Sequence, residues 1–278
     1  VGVSQIARDV TEHLRLQEHL SRAQKLESIG QLAAGVAHEI NTPAQYLGDN
    51  TRFLAEAFRG LDAYVSKAHE LHQAARDSRV TGELIEELET VNREKDLDFL
   101  RKEVPSAIQQ SQEGVDSISR IVLAMKEFSH PGNREMSLTD LNRAIDNTVT
   151  VARSEWKYVA DLELDLDPGL PMIPCLPGEF NQAILNILVN AVHAIRDRNG
   201  DGERGKITIR SRHDADHVEV SIADTGTGIP EAIRAKIFDP FFTTKEVGKG
   251  TGQGLAITHD VIVNKLGGEI QVQSEPGA

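Results

Sequence analysis

The chain has 278 residues, which is enough for two domains of ordinary size. Acidic residues outnumber basic ones by 43 to 30, and the resulting net charge of −13 argues against a general affinity for nucleic acid or anionic lipid. The single cysteine, Cys175, cannot form a disulfide framework or a thiolate zinc site within one chain, and it suits a reducing, cytoplasmic setting. Because no apolar run is long enough and no leader-like segment opens the sequence, we expect neither a membrane span nor a secretion signal within it.

The first half of the chain is expected to be helical. Its periodicity predicts one long helix from Asp9 to about Arg76. An apolar seam typical of a helix that packs on a partner helix recurs at steps of three, four or seven residues, at Leu26, Ile29, Ala33, Val36, Ile40 and Leu47.

A second helix carries a similar apolar pattern. Its members are Val115, Ile118, Val122, Met125 and Phe128. We expect the two helices to form an antiparallel hairpin with a polar tip between residues 77 and 98, followed by a linker at 130–133. A hairpin with one apolar stripe per helix cannot enclose a core, so a dimeric four-helix bundle is the expected assembly.

Helices and strands are mixed after this linker. Alternating apolar and polar residues predict half-buried strands at 162–166, 206–210 and 218–222. Helical periodicity predicts helices at 141–156, 179–197 and 254–266. Strands with helices against one face predict an α/β sandwich.

His38 is a candidate nucleophile on the first helix. It lies two residues from both Val36 and Ile40, about 200° around the helix, so its ring should face away from the seam. An exposed neutral imidazole can attack an electrophile through one nitrogen, while the Glu39 carboxylate could orient the ring through the other. Taken alone, the pair could also be an ordinary solvated histidine and its neighbour. Pro43 is expected to bend or loosen the helix.

The predicted helix at 179–197 has a polar stripe on an otherwise apolar surface. The stripe consists of Gln182, Asn186, Asn190 and His193, at steps of four and three. Polar side chains on a buried helix need partners, and Mg²⁺ accepts oxygen ligands from protein while phosphates and waters fill its other positions. Asn190 is therefore a candidate magnesium ligand, although an amide that caps a neighbouring loop would fit equally well.

Two glycine-rich segments complete the set of motifs. Gly248, Gly250, Gly252 and Gly254 lie within seven residues, a density that lets backbone amides approach a polyphosphate. Asp224 opens the sequence Asp-Thr-Gly-Thr-Gly, where its carboxylate could accept a hydrogen bond from the exocyclic amine of adenine. Guanine presents an oxygen at that place, and an unsatisfied buried acceptor costs roughly 1–3 kcal/mol, which favours ATP over GTP. Taken alone, the segment could also be a tight turn after a strand.

Together these segments resemble the motifs of sensor histidine kinases of two-component signalling. The resemblance covers nearly the whole chain after the first fifteen residues. Residues 37–43 resemble the phospho-acceptor box, 186–191 the asparagine box, 224–228 and 250–254 the two glycine boxes, and 238–242 the phenylalanine box. Five boxes in the family's order are far more specific than any one of them.

The resemblance implies an antiparallel helical hairpin that forms a dimeric four-helix bundle, followed by an α/β sandwich that binds ATP. It implies a PAS domain end and signalling helix at 1–15, the dimerisation and phosphotransfer hairpin at 16–130, and the ATP-binding domain at 131–278. The chain would use ATP and Mg²⁺, form a homodimer, and pass phosphate to the receiver domain of a response regulator. Nucleic acid and membrane contact are not expected.

The resemblance also assigns residues. His38 would be phosphorylated, Glu39 would act as its acid/base neighbour, and Thr42 would help to place water if the kinase also dephosphorylates its regulator. Asn190 would bind magnesium, and Asp224 would contact adenine. The implied ATP-binding residues are Asn186, Asn190, His193, Asp224, Gly226, Gly228, Ile229, Phe238, Thr243, Thr244, Lys245, Gly248, Lys249, Gly250, Thr251, Gly252, Gln253, Gly254 and Leu255.

The sequence departs from the family's pattern at two places, and two other functions are compatible with part of it. Gln253 stands where the family more often has an apolar residue, and the sequence stops at Ala278, where the family continues into a last strand. One alternative is a hydrolytic clamp of the same superfamily, but those enzymes place a glutamate at the position of Asn186, and an amide cannot accept the proton of water. The other alternative is an inactive dimeric scaffold. The presence of His38, Asn190 and Asp224 argues against it.

Overall fold

The structure is a computed structural model that describes residues 11–129, 136–200, 202–245 and 251–275. Within these ranges, side chains are described from residue 30 onward, with Gln31 and Ser129 excepted. The chain divides into two compact units, one made of residues 1–38 and 121–278 and the other of Glu39–Arg120. Within the described residues, no helix has both the length and the apolar character that crossing a membrane requires.

The first element is the long helix predicted from the sequence. Helix α1 spans Thr11–Arg76, a length of 66 residues. Pro43 lies inside it and is buried, and the helix continues for more than thirty residues beyond it. Leu26, Ile29 and the predicted linker at 130–133 lie outside the described residues or side chains.

The unit Glu39–Arg120 contains the predicted antiparallel hairpin. Helix α3 spans Leu97–Ser129 and returns along α1. The Asn50 side-chain amide donates to the Ala107 carbonyl at 3.2 Å, and the rings of Phe53 and Phe99 meet edge to face with centroids 6.3 Å apart. Because the partner on α3 moves toward lower numbers as α1 advances, the two helices run in opposite directions.

The tip of the hairpin contains a helix that periodicity had not indicated. Helix α2 spans Gly82–Lys95. It begins at Thr81, whose side chain accepts from the Leu84 N–H, and ends at Asp96, which adopts a left-handed conformation with φ of 44°. Both residues are ordinary helix-capping types. None of the residues of α2 is fully buried, which explains why the segment looked like a polar loop.

Three members of the predicted apolar seams are exposed within the single chain. Ala33 is exposed, and Leu32 is buried in its place. Val115 and Val122 are 53% and 50% exposed, whereas the residues before them, Gly114 and Ile121, are buried. One residue is a rotation of about 100° on a helix. Both helices have two adjacent apolar stripes, and periodicity alone did not show which one faces the hairpin partner.

The other unit contains the predicted mixed domain. Its elements in chain order are β1 (Ser137–Thr139), α4 (Leu141–Val151), α5 (Arg153–Trp156), β2 (Ala160–Asp165), β3 (Ile173–Cys175), α6 (Pro177–Asn199), β4 (Gly205–His213), β5 (Val218–Asp224), α7 (Glu231–Arg234), α8 (Gly254–His259) and a π-helix (Asp260–Lys265). The helix predicted at 141–156 is interrupted at Ala152, and the one at 254–266 changes to π geometry after His259. From Gly267 to Glu275 the chain forms neither helix nor strand.

The sheet and helix α6 form the core of this unit. The three-stranded sheet has the order β2-β4-β5, with β2 parallel and β5 antiparallel to β4, while β1 and β3 form a separate antiparallel pair. Leu188 and Ile195 of α6 and Ile207 and Ile209 of β4 are completely buried. The α/β sandwich is therefore confirmed, and α6 lies across the sheet with its opposite face available for a site.

Candidate functional site

The polar stripe of α6 connects this helix to the start of α8. The Gln182 side-chain nitrogen donates to Asn186 Oδ1 at 3.1 Å, and Asn186 Nδ2 donates to the Gly254 carbonyl at 2.9 Å. These bonds satisfy the half-buried Asn186 amide. They also bring the asparagine box into contact with the second glycine box, 68 residues further along the chain. Asn190 is half-buried one helical turn after Asn186.

A buried threonine that the sequence analysis missed strengthens this junction. Thr258 is 1% exposed, and its hydroxyl donates to the Gly254 carbonyl at 2.9 Å. Its oxygen also lies 3.5 Å from the Ala183 carbonyl on α6. Gly254 thus accepts two side-chain hydrogen bonds. The signal in the sequence was a threonine four residues after the first residue of a predicted helix, a spacing that allows this bond.

Asp224 ends strand β5 and folds back on the turn that follows. Its Oδ1 accepts the Gly226 N–H at 2.8 Å. Although the residue as a whole is exposed, neighbouring protein atoms limit hydration of the carboxyl group and raise its pKa, an effect that the Gly226 N–H partly opposes. A carboxylate with limited hydration gains more from a hydrogen-bond donor on a ligand than one in bulk water does.

The turn after Asp224 lies directly against α6. A Cβ atom at Gly226 would be 2.5 Å from Ala194 Cβ and 2.6 Å from Asp224 Oδ1. The Thr227 N–H donates to the Ala194 carbonyl at 3.2 Å, so the close approach is also hydrogen-bonded. Gly228 follows with φ of 70°, which glycine adopts without strain. The first glycine box therefore has a structural need for its two glycines.

Lys245 and His193 meet across the site. Lys245 Nζ lies 2.6 Å from His193 Nδ1, so the ammonium donates to a neutral imidazole. Burial lowers the pKa of His193, and the positive charges of Lys245 and Arg196 lower it further. Burial also lowers the pKa of Lys245. Two residues predicted to contact ATP are thus neighbours, and both favour their uncharged forms more than free side chains do.

The phenylalanine box and the second glycine box are in contact. Gly252 has φ of 65°, and a Cβ there would lie 2.4–2.8 Å from backbone atoms of Phe241. Phe241 is itself a non-glycine residue with φ of 67° and a side chain that is 70% exposed. Such strained residues concentrate at functional sites. The ring of Phe238 packs on His259 of α8 with centroids 5.2 Å apart.

The remaining predicted ATP contacts lie along the same segments. The Ile229 N–H donates to Ser274 Oγ at 2.7 Å, and Thr243 Oγ1 accepts the Lys245 N–H at 3.1 Å. Thr244 and Thr251 are exposed, and Gln253 and Leu255 are partly buried at the start of α8. Gly248, Lys249 and Gly250 lie outside the described residues.

His38 is exposed on α1, as the helical spacing predicts. Val36, two residues earlier, is buried. Glu39 is partly buried and Thr42 is exposed one turn later. The imidazole is therefore on the solvent side of a helix whose other face is packed.

The chain is similar in sequence to known kinases and ATPases. Residues 176–278 match the family of histidine kinase-, DNA gyrase B- and HSP90-like ATPases. The signal transduction histidine-protein kinase AtoS of Escherichia coli is 31% identical over the whole of this chain, which corresponds to 38% of its own length. Sporulation kinase E of Bacillus subtilis is 32% identical over 98% of this chain and 30% of its own length. The sensor kinase CckA of Brucella abortus is 31% identical over 97% of this chain and 25% of its own.

One solved structure of a histidine kinase domain is also similar to part of the chain. The catalytic domain of the histidine kinase ThkA aligns with 51% of this chain and 90% of its own, at 30% identity and a TM-score of 0.45. The family match defines residues 176–278 as an ATPase domain of the histidine kinase, gyrase and HSP90 type. Along almost its full length the chain is similar to sensor histidine kinases. It spans well under half the length of the curated relatives named above.

Proposed function

We propose that the chain is an ATP-dependent protein histidine kinase that phosphorylates its own His38 and then transfers the phosphoryl group to an aspartate of a response regulator. The observation that carries this proposal is the exposed imidazole of His38, within its phospho-acceptor motif, in the same chain as an ATPase-type domain. We propose the domain division 1–15, 16–130 and 131–278 given above for this activity. A cytoplasmic location belongs to the proposal, because the single cysteine, Cys175, cannot form a disulfide framework within the chain. Burial also raises the pKa of its thiol to about 11.

The nucleotide is expected to bind across α6. Asp224 would accept a hydrogen bond from the exocyclic amine of adenine, and a side chain at Gly226 would clash with Ala194 and with the Asp224 carboxylate itself. His193 and Lys245 would face the phosphates as donors. The oxygen of the Asn190 amide suits Mg²⁺, which would neutralise charge on the phosphates when bound.

The proposed reaction is in-line phosphoryl transfer. One His38 ring nitrogen forms a bond to the γ-phosphorus while the bond from phosphorus to the β–γ bridging oxygen breaks, and ADP leaves. Glu39 would receive or hold the proton on the other ring nitrogen. The resulting phosphoramidate would pass its phosphoryl group to a carboxylate oxygen of the regulator and restore the imidazole.

The asparagine at position 186 favours transfer to histidine over hydrolysis. Its Nδ2 donates to the Gly254 carbonyl, so the side chain has a structural task in this junction. An amide has no basic lone pair at neutral pH and cannot remove a proton from water. The site therefore lacks, at this position, the base that a hydrolytic clamp of the superfamily would use.

A homodimer is part of the proposal because the hairpin exposes apolar side chains. Phe58 and Val65 on α1 are 70% and 61% exposed. Ile108 and Val115 on α3 are also exposed and line a shallow groove with Leu54. A second copy of the hairpin would cover these side chains and complete a four-helix bundle.

The phospho-acceptor is tested with γ-labelled ATP. We expect His38→Ala to abolish acid-labile labelling while ATP binding, measured by displacement of a fluorescent analogue, stays unchanged. His72→Ala is the matched control, because His72 is another exposed histidine of α1 and its loss should leave labelling intact. Acid-labile label that persists on His38→Ala at the wild-type level would overturn the assignment.

The magnesium ligand is tested separately. Asn190→Ala should weaken ATP binding when Mg²⁺ is present and have little effect in excess chelator, because the amide acts through the metal. Equal binding by the variant and the wild-type chain under both conditions would remove Asn190 from this role without affecting the assignment of His38.

A further inference from the structure

Arg198 lies near the end of α6 and reaches the turn that follows Asp224. Its Nη1 atom donates to the Thr225 carbonyl and to the Gly226 carbonyl, both at 3.2 Å. These are the two carbonyls that come directly after Asp224 in the chain. A guanidinium carries its charge at every accessible pH and presents several donors in a fixed plane, so it can hold two carbonyls at once.

One of these carbonyls belongs to the peptide group that also binds the Asp224 carboxylate. The peptide between Thr225 and Gly226 has its C=O bonded to Arg198 and its N–H bonded to Asp224 Oδ1 at 2.8 Å. A peptide group is planar, and its C=O and N–H point in opposite directions. The orientation that Arg198 imposes at one end therefore fixes the direction of the donor at the other end.

The rest of the turn is held at different points. The Thr225 N–H donates to the Lys206 carbonyl at 3.1 Å, and Thr225 Oγ1 accepts the Lys206 N–H at 2.9 Å. The Thr227 N–H binds Ala194 on α6. These contacts fix the path of the chain on either side of the Thr225–Gly226 peptide. Rotation of the peptide itself is opposed by its hydrogen bonds to Arg198 and to Asp224.

We propose that Arg198 is a positioning residue for base selection: by holding the Thr225–Gly226 peptide it aims the Asp224 carboxylate at the exocyclic amine of adenine. This inference rests on the proposed role of Asp224 in nucleotide binding. Arg198 contributes to affinity for nucleotides that carry an amine at this position and has no part in the chemical step.

The test compares ATP with GTP on the full chain. Arg198→Gln removes the charged donor of both hydrogen bonds, and we expect ATP binding to weaken about tenfold while GTP binding hardly changes. The KM for ATP in self-labelling should rise by the same factor, with the rate at saturating ATP unchanged. Arg198→Lys should recover part of the affinity. Arg210→Gln is the control, since Arg210 makes an exposed ion pair with Asp165, which also pairs with Arg212.

A double-mutant comparison separates this inference from the function on which it depends. If Arg198 acts through Asp224, adding Arg198→Gln to Asp224→Asn should cause no further loss of ATP affinity. Additive losses, or equal losses for ATP and GTP, would refute the positioning role. If the wild-type chain does not prefer ATP, or Asp224→Asn keeps the preference, the proposed role of Asp224 fails instead. Should Arg198→Gln not fold, as judged by urea unfolding, Arg198→Lys supplies the same comparison at a smaller expected change of about threefold.

Discussion

The close approach of the turn at Gly226 to helix α6 leads to a quantitative prediction. In Gly226→Ala the new Cβ would lie 2.5 Å from Ala194 Cβ, about 0.9 Å short of the 3.4 Å at which ordinary contact begins. It would also lie 2.7 Å from the Ala194 carbonyl carbon, which belongs to the helix backbone. Neither atom is the flexible end of a side chain, so the turn must move away from α6.

The displacement has an energetic cost and a functional one. Overpacking of this kind typically costs about 1–3 kcal/mol. Moving the turn also breaks the bond from the Thr227 N–H to the Ala194 carbonyl and changes the direction of the Asp224 carboxylate. If ATP binds only when the turn has its wild-type position, the whole cost is subtracted from the free energy of binding. ATP affinity then falls by roughly 5-fold to 150-fold.

Displacement of a fluorescent ATP analogue measures the affinity, and urea unfolding followed by circular dichroism measures the stability of the same samples. Gly202→Ala is the matched control, because the nearest atom to its new Cβ is Asn199 O at 3.8 Å, an ordinary contact in the same unit. We expect this control to bind ATP as the wild-type chain does. A folded Gly226→Ala protein that binds ATP within twofold of wild type would show that the close approach is not needed for the site.

Three further outcomes are expected. Because neighbouring protein atoms limit hydration of the Asp224 carboxyl group and raise its pKa, ATP affinity should begin to decrease at a higher pH than an ordinary aspartate would give as the pH is lowered. Asp224→Asn should remove that decrease, and identical pH profiles of the two proteins would contradict the prediction. Thr258→Val removes a buried donor to Gly254 and should lower the free energy of unfolding by about 1 kcal/mol in urea titrations, since Gly254 keeps its bond from Asn186. In Gly35→Ala the Cβ would lie 2.5 Å from Ser154 Cβ, so thermal unfolding should begin at a lower temperature than in Gly30→Ala, where the position is open.

The sequence was sufficient to predict features that depend on local periodicity. The long helix α1, its antiparallel pairing with α3 and the exposed ring of His38 all follow from the spacing of apolar residues and are found in the structure. Val115 and Val122 of the predicted seam are exposed within the single chain, and the residues before them are buried, because which of two neighbouring apolar stripes is covered depends on the partner helix. Helix α2 was missed because its short apolar pattern buries no residue completely.

The contacts that build the nucleotide site could be predicted only in part. Motifs pointed to Asn186, Asp224 and the glycines. They did not show that Asn186 binds Gly254, which is 68 residues away, or that Lys245 lies beside His193. Such contacts depend on how α6 and the following loops pack, and side-chain type and spacing do not contain that information.

Helix α6 explains why these contacts converge. One of its faces carries Leu188 and Ile195 into the core, so the helix cannot shift without breaking the packing of the sheet. The same rigid element anchors the turn after Asp224 through Arg198 and Ala194 and the start of α8 through Asn186. The two ends of the site therefore have a fixed separation that is set by one helix. Substitutions on the buried face should consequently alter stability and ATP affinity together, whereas Arg198→Gln should alter affinity alone.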